Sequence, residues 1–276
     1  MTLIQALILG VVQGLTEFLP VSSSAHLVVV PALMGVTPGV AFDAFLHLGT
    51  LTAVAGYFWK DILAVIKAFF RSLADILRGR FAQGLREDTM KKLAWLLIVG
   101  SIPAAVLGYL FRDFFEGLFS SVMTTALLLI GTGVMLIAAE LVKRGEKTLG
   151  DMSLGNGLVI GLAQAVAIAP GISRSGATIS AGLFLGLERP LAARFSFLLS
   201  IPAILGATIL QLKGITAGLQ GGATIFLAGF LAAAVCGWLA IRTFLRIIKG
   251  KALLGFGVYC ILAGLAVLVI DRLAGF

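Results

Sequence analysis

Charged residues are scarce in this chain of 276 residues: Asp, Glu, Lys and Arg together make up 12%, against 59% for the hydrophobic types. Soluble proteins average roughly 25% charged and 45–50% apolar residues. This deficit of charge excludes an ordinary soluble domain and a disordered chain. The apolar runs are continuous rather than alternating, which argues against a transmembrane β-barrel. The composition therefore predicts an all-α polytopic membrane protein.

Cysteine and histidine are also rare, with two of each. Cys236 and Cys260 each lie inside an apolar run without metal-ligand spacing, so we interpret both as small apolar side chains. We expect no signal peptide, because no positive segment and cleavage site open the sequence. The net charge of +8 comes from a few short connectors. That distribution favours cytoplasmic loops and anionic headgroups over nucleic acid.

Six apolar segments are long enough to cross a bilayer, which takes about 20 residues. They lie at about 41–59, 93–111, 116–139, 191–211, 223–241 and 253–270. Two further apolar regions, 3–36 and 154–188, are interrupted by Pro20 and by Pro170, each followed by a run of polar residues. Each half is short for a full crossing, and polar backbone at membrane depth must be enclosed by protein or water. We therefore expect six transmembrane helices plus two re-entrant helical hairpins.

The basic connectors predict which ends of the spans face the cytoplasm. Residues 60–92, 140–151 and 242–251 carry most of the Lys and Arg and fall on one side of the predicted membrane. The first of these connectors is expected to form an amphipathic helix on the headgroups. Its predicted lipid-facing side chains are Ile62, Val65, Ile66, Phe69 and Phe70.

The two halves of the chain resemble each other, within a single membrane domain spanning 1–276. The segment Gly10-Val-Val-Gln13, followed by Ser22-x-Ser24, aligns with Gly161-Leu-Ala-Gln164, followed by Ser173-x-Ser175. Three spans follow each broken region, and an odd number puts the two copies in opposite orientation. We therefore expect an inverted repeat, with copies at about 1–139 and 154–270, whose hairpin tips converge near the midplane.

The first break carries the first candidate site. Gln13 and Glu17 are four residues apart and share one helix face. Pro20 ends that helix, and the serines after it are suited to cap the next one. A carboxylate and a histidine inside an apolar run are functional by default. The candidate side chains of this break are Gln13, Glu17, Ser22, Ser23, Ser24 and His26.

The second break supplies the complementary charge. Helix starts bind anions through free N–H groups, and the Arg174 guanidinium adds a bidentate phosphate ligand. Two such starts meeting at the midplane would hold a polyanion. Glu17, with Gln13 beside it, would hold a divalent cation against it, since Mg²⁺ and Ca²⁺ prefer oxygen ligands. The candidate side chains of this break are Ser173, Arg174, Ser175 and Thr178.

Simpler interpretations stay open for each residue taken alone. Glu17 and Arg174 could form a structural ion pair, the serines could be plain helix caps, and His26 could be a buried, hydrogen-bonded histidine. For Asp43 and His47, four residues apart at the start of a span, a structural or gating role is favoured over catalysis. Acid, hydroxyl, imidazole and guanidinium at two matching helix breaks nevertheless favour a functional site.

These motifs resemble those of the bacterial undecaprenyl-pyrophosphate phosphatase family linked to bacitracin resistance. The first signature is present as Gln13, Glu17, Leu19-Pro20-Val21-Ser22-Ser23 and His26, and the second as Pro170 to Thr178. Phe195-Ser196-Phe197 and Leu48-Gly49-Thr50 extend the resemblance over most of the chain. Many members carry Glu where this sequence has Gln13, so metal coordination would rest more heavily on Glu17.

The resemblance implies that undecaprenyl diphosphate is hydrolysed to the monophosphate, which recycles the lipid carrier for peptidoglycan synthesis. It also implies a divalent cation, Mg²⁺ or Ca²⁺, and a multi-pass protein of the bacterial cytoplasmic membrane. The expected partners are the polyprenyl diphosphate lipid and the bilayer, not nucleic acid, and a homodimer is a further candidate assembly.

Phosphoryl transfer depends on positioning and charge neutralisation, which Arg174, the helix starts and a cation would supply. We hypothesise that Ser23 or His26 attacks the terminal phosphorus, while Glu17 holds the metal or activates the nucleophile. Direct attack by water at the cation is a third route. The predicted substrate-binding residues are Gln13, Ser22, Ser24, Ser173, Ser175 and Thr178.

Transport is the alternative function. Inverted repeats with paired broken helices are typical of secondary transporters, and the same pocket could translocate a lipid phosphate without hydrolysis. A lipid flippase needs a phosphate site but neither a nucleophile nor a base. The proximity of His26, Ser23 and Glu17 in the first motif therefore favours an enzyme.

Overall fold

The computed structural model describes residues 1–119 and 121–274. In this part of the chain the backbone forms thirteen α-helices and no β-sheet, which confirms the all-α prediction. The helices are α1 Leu3–Phe18, α2 Ser23–Leu33, α3 Val40–Tyr57, α4 Trp59–Leu77, α5 Phe81–Glu87, α6 Thr89–Leu110, α7 Arg112–Leu118, α8 Val122–Leu141, α9 Leu154–Val166, α10 Arg174–Phe184, α11 Arg189–Leu210, α12 Leu212–Ile247 and α13 Ala252–Ala274.

Six of these helices are long and apolar enough to cross a membrane, as predicted: α3, α6, α8, α11, α12 from Gly222 onward, and α13. Two predicted boundaries are wrong by six residues. The span placed at 223–241 continues to Ile247. The span placed at 116–139 begins only at Val122, because the preceding residues form the separate short helix α7. The Ser121 hydroxyl accepts a hydrogen bond from the backbone N–H of Thr124 and so caps the start of α8.

Both predicted helix breaks are present. The first helix pair stops at Phe18 and resumes at Ser23, with the Ser22 hydroxyl accepting from the Ala25 N–H at 3.3 Å. The second pair resumes at Arg174, capped by Ser173 in the same way. The four helices of the two pairs have only 16, 11, 13 and 11 residues. Their re-entry into a bilayer stays a prediction.

The backbone of both breaks is tightly constrained. Ser22 is the one non-glycine residue in the described part of the chain with a positive φ, at 64°. Such a conformation costs about 1–3 kcal/mol and persists only where the surroundings enforce it. Gly171 has a φ of 94°, and a Cβ there would collide with the carbonyl oxygen of Thr125 on α8. The second break therefore requires glycine at this position.

Glycines also allow the first helix of each pair to lie against a membrane-spanning helix. A Cβ at Gly10 of α1 would collide with the Gly229 carbonyl of α12, and one at Gly161 of α9 would collide with the Gly100 carbonyl of α6. Gly10 and Gly161 are the positions that the alignment of the two halves matches. Small residues permit this close backbone approach inside membranes, where packing rather than hydrophobicity holds helices together.

The two helix pairs enter the bundle from opposite ends. Ala32 near the end of α2 shares a small apolar cleft with Val122 at the start of α8 and Val267 in the last turns of α13. The chain just beyond α10 instead lies where α8 has ended, since the Lys147 N–H donates to the Gly186 carbonyl at 3.0 Å. This arrangement brings the two breaks together inside the bundle. The duplication itself, with its two repeat boundaries, stays a prediction.

The amphipathic connector packs more closely than predicted. Ile66 and Phe70 of α4 are exposed, at 46% and 64%, in agreement with a lipid-facing side. Ile62 and Val65 instead contact the main buried cluster, and the ring of Phe69 lies 5.8 Å from an α6 tryptophan ring. These three side chains are only partly exposed, because α4 leans one side of its apolar face against the bundle, and their contact with lipid stays a prediction.

The close contact between α9 and α6 predicts that an added methyl group at Gly161 destabilises the protein. Gly161→Ala should lower the free energy of unfolding by about 1–3 kcal/mol, since its methyl group would overlap the Gly100 backbone. Gly131→Ala is the matched control, because no atom lies within 4 Å of the added Cβ. Thermal unfolding in detergent micelles checks this pair, and equal unfolding temperatures for both variants would contradict the crossing geometry.

Candidate active site

An ion pair joins the two helix breaks. Arg174 Nη2 donates to Glu17 Oε1 at 2.6 Å, although the two residues are 157 positions apart in the chain. The side chain of Glu17 is 5% exposed and that of Arg174 is 15% exposed. A buried charge is stable only when it is paired and hydrogen-bonded, so this contact fixes the two breaks against each other. The ion pair of Glu17 with Arg174, one of the simpler interpretations of the sequence, therefore does form.

The second carboxylate oxygen of Glu17 gathers three further polar groups. Gln13 Nε2 and Ser23 Oγ donate to Oε2 at 2.8 Å and 2.6 Å. His47 Nε2 lies 3.6 Å from the same oxygen. We call Gln13, Glu17, Ser23, His47 and Arg174 the carboxylate cluster. It contains a hydroxyl hydrogen-bonded to a base, the arrangement that activates a nucleophile.

Two buried atoms of the cluster have no hydrogen-bond partner among the described residues: Gln13 Oε1 and Arg174 Nη1. Leaving a buried polar atom unpaired costs about 1–3 kcal/mol, so such atoms call for an explanation. A free guanidinium N–H can donate to an anion, and a free amide oxygen can bind a cation or accept a proton donor. The cluster thus offers contacts for an anionic ligand and for a cation beside it.

Apart from Ser23, the serines of the two breaks bond to the loops of the breaks rather than to Glu17. Ser175 Oγ donates to the Leu19 carbonyl at 3.1 Å, and the Gly171 N–H donates to Ser24 Oγ at 3.4 Å. Ser22 Oγ lies 3.1 Å from Ser24 Oγ. Each break therefore hydrogen-bonds to the other. This network keeps the two helix starts, α2 and α10, beside the carboxylate cluster.

Thr178 lies behind the cluster. Its hydroxyl donates to the Arg174 carbonyl at 2.8 Å and lies 2.6 Å from the hydroxyl of Ser196 on α11. A residue bonded in this way supports the first turn of α10 from within the bundle. The predicted contact of Thr178 with substrate stays a prediction.

His26 points away from Glu17. Its Nδ1 donates to the Ser22 carbonyl at 2.8 Å, and its Nε2 lies 2.7 Å from the hydroxyl of Tyr259 on α13. The two rings are nearly parallel, with an interplanar angle of 6° and centroids 5.9 Å apart. Because a carbonyl oxygen only accepts, Nδ1 carries the proton and Nε2 accepts from Tyr259. Of the four predicted catalytic residues, Glu17, Ser23 and Arg174 thus come together, and His26 does not join them.

His47 is a cluster member that sequence reasoning did not place beside Glu17. Its Nδ1 bonds to the Asp43 carbonyl at 2.8 Å, which orients Nε2 toward Glu17. Its side chain is 32% exposed, so His47 lies on the open side of the cluster. A histidine inside an apolar span was the available signal. The spacing along α3 did not reveal that this helix face meets Glu17.

The cluster suits a cation only together with a ligand. In the described part of the chain, no group of three His, Cys, Asp or Glu side chains lies close enough to hold a metal ion. Glu17 offers one carboxylate, and the unpaired Gln13 Oε1 offers one amide oxygen next to it. Mg²⁺ is commonly held by one or two carboxylates plus substrate phosphate oxygens. The donor set fits that shared mode of binding.

Residues 6–266 match the family described as bacitracin resistance protein BacA. The chain belongs to this family. It is 45% identical over 271 residues to the undecaprenyl-diphosphatase of Methanosphaera stadtmanae, covering 98% of both chains. It is 47% identical over 268 residues to that of Methanobrevibacter smithii, covering 97% of both. A third relative of the same name, from Thermomicrobium roseum, is 45% identical over 280 residues and 98% of both chains. The family resemblance read from the motifs is confirmed.

The buried pair predicts strong coupling between the two BacA signature motifs. Glu17→Gln and Arg174→Met should each destabilise the protein by about 3–5 kcal/mol, because each leaves a buried charge without its partner. The double variant should lose clearly less than the sum. Unfolding in detergent micelles measures this cycle, with Arg112→Gln, in an exposed ion pair, as a control that changes nothing. Strict additivity would contradict a direct pair.

Proposed function

We propose that this protein hydrolyses undecaprenyl diphosphate to undecaprenyl phosphate and inorganic phosphate in the cytoplasmic membrane of a bacterium. The observation that carries the proposal is the carboxylate cluster, which joins a serine, a carboxylate and a guanidinium across two helix breaks inside an apolar bundle. The substrate has a charged head on a long apolar tail, and a polar site within membrane helices accommodates both. The name of the three relatives agrees with this activity.

The carboxylate cluster leaves one guanidinium nitrogen unpaired, and this nitrogen can recognise the diphosphate. Arg174 Nη2 is held by Glu17, and the unpaired Nη1 of the same guanidinium can donate to a phosphate oxygen. The helix starts of α2 and α10 meet beside it, and helix N-termini favour anions. The side chains of Glu17 and Arg174 are only 5% and 15% exposed, and burial strengthens each of these interactions.

Ser23 is the nucleophile that the geometry favours. Its hydroxyl already donates to Glu17 Oε2 at 2.6 Å, so the carboxylate can take the proton as the oxygen attacks. A bond forms between Ser23 Oγ and the terminal phosphorus. The bond from that phosphorus to the bridging oxygen breaks, and its electron pair leaves with undecaprenyl phosphate. Water then attacks the phosphorus of the phosphoserine, and the bond from phosphorus to Ser23 Oγ breaks. Glu17 returns its proton to Ser23 Oγ, and both protons of the water leave with inorganic phosphate.

The other candidates are placed less well for attack. Both ring nitrogens of His26 are already engaged, by the Ser22 carbonyl and the Tyr259 hydroxyl. His47 lies beside Glu17 on the open side, where it can orient the carboxylate or an incoming phosphate. A divalent cation held by Glu17 and Gln13 together with the substrate would neutralise charge on the phosphate oxygens.

Replacement of serine tests the nucleophile. Ser23→Ala should lower phosphate release from undecaprenyl diphosphate by at least about 10²-fold and abolish any trapped phosphoenzyme, since it removes the attacking oxygen. Ser101→Ala is the matched control, because the Ser101 hydroxyl donates to the Leu97 carbonyl of its own helix, α6, and not to Glu17. Its activity should stay within a few-fold of the wild type. Wild-type turnover by Ser23→Ala would overturn covalent catalysis by this residue.

Removal of the cation tests the second part of the proposal. Phosphate release should stop with a chelator and return with Mg²⁺ or Ca²⁺. Gln13→Leu should raise the cation concentration needed for half-maximal activity, because the free amide oxygen is lost. Gln164→Leu is the matched control, since Gln164 is a buried glutamine without a bond to the cluster. Full activity in the presence of chelator would contradict a cation at this site.

A further inference from the structure

An apolar groove of about 620 Å³ opens beside the carboxylate cluster. One wall is formed by the last turn of α1 and the first break, and the other by the first two turns of α13, with the end of α12 closing the groove. Pockets of about 300–1,000 Å³ accommodate ligands of drug size. The lining is almost entirely apolar, so the natural occupant is an apolar chain rather than a charged head.

The groove and the proposed catalytic site share the loop of the first break. Its residues Leu19 and Val21 flank Pro20 in the first break, directly before the serines. The carbonyl of Leu19 accepts the hydrogen bond from Ser175 of the second break at 3.1 Å. On the opposite wall, the Tyr259 hydroxyl bonds to His26 in the first turn of α2. The same backbone therefore forms both the groove wall and the floor of the polar site.

We propose that this groove binds the isoprene units next to the diphosphate of the substrate, with the Tyr259 side chain at its mouth. This inference rests on the proposed function and identifies the part of the protein that contacts the lipid tail. An isoprenoid chain gains little hydrophobic free energy on leaving the bilayer, which is as apolar as the groove. The groove therefore acts by packing and orientation, and it fixes the direction from which the phosphorus approaches Ser23.

Gly255 is the position at which a substitution can block this groove. It lies in α13, one turn before Tyr259, and lines the groove. No atom lies within 4 Å of a Cβ added there, so a larger side chain can start from this position without a clash, and we expect it to enter the groove. Gly131 of α8 is the matched control. It is also exposed within an apolar helix and also has no atom within 4 Å of an added Cβ.

The test compares isopentenyl, farnesyl and undecaprenyl diphosphates as substrates of the full-length protein in bilayer nanodiscs. Gly255→Leu should lower kcat/KM for undecaprenyl diphosphate by about fivefold or more, within the range of lost packing contacts. It should leave the rate with isopentenyl diphosphate unchanged, since that chain ends before the blocked position. Gly131→Leu should behave as wild type with all three. A Gly255→Leu enzyme that keeps the wild-type dependence on chain length overturns the proposal.

A binding readout separates this inference from the proposed function. Photolabelling with a diazirine-bearing farnesyl diphosphate should modify the α13 segment that contains Gly255 and Tyr259. Excess undecaprenyl phosphate should suppress the label, and excess phosphatidylglycerol should not. Label in the groove without any phosphate release would contradict the proposed function but not the binding of the prenyl chain in the groove. Phosphate release with label elsewhere, or equal suppression by phosphatidylglycerol, would overturn the groove as a site for the prenyl chain.

Discussion

A carboxylate and a guanidinium buried among apolar helices can remain charged only if they meet, and the meeting of Glu17 with Arg174 dictates the rest of this structure. Each charge lies at a break between two short helices, so the pair holds the two breaks together. The desolvation of the two ions is costly and is offset only by direct contact and further hydrogen bonds. Gln13 and Ser23 supply those bonds on the free oxygen of Glu17. The same contacts that stabilise the charge assemble the groups needed for phosphoryl transfer.

The surrounding helices turn this local constraint into a site for a lipid. Glycines at Gly10 and Gly161 let α1 and α9 lie against membrane-spanning helices, which places the breaks deep in the bundle. The left-handed backbone of Ser22 stores strain where α2 begins and presents the serines to the opposite break. An apolar groove starts from the same loop. The charged head and the apolar tail of the lipid are thereby recognised by adjoining parts of one segment, the first break.

Much of this was accessible from the sequence, because hydropathy and helix breakers act locally. The six spans and both breaks follow from run length, Pro20 and Pro170. The cost of burying charge suggested a pair between Glu17 and Arg174 only as one of the alternatives. Residue spacing reveals which side chains share a helix face but not which neighbour that face meets. His47 was therefore ranked below His26, although α3 turns His47 to Glu17 while α2 turns His26 to Tyr259. The inward lean of α4 and the groove along α13 likewise depend on packing between helices distant in sequence.

The contact between Glu17 and Arg174 in a bilayer is the most direct point at which this account can be tested. Solid-state NMR on protein with ¹³C-labelled glutamate and ¹⁵N-labelled arginine, reconstituted without substrate, measures dipolar coupling between carboxylates and guanidinium groups. The difference from Arg174→Lys isolates this pair from the other ion pairs. We expect a coupling from direct contact, within about 4 Å, that is lost in the variant. No difference between the two spectra would show that the breaks do not meet through these charges and would contradict the account.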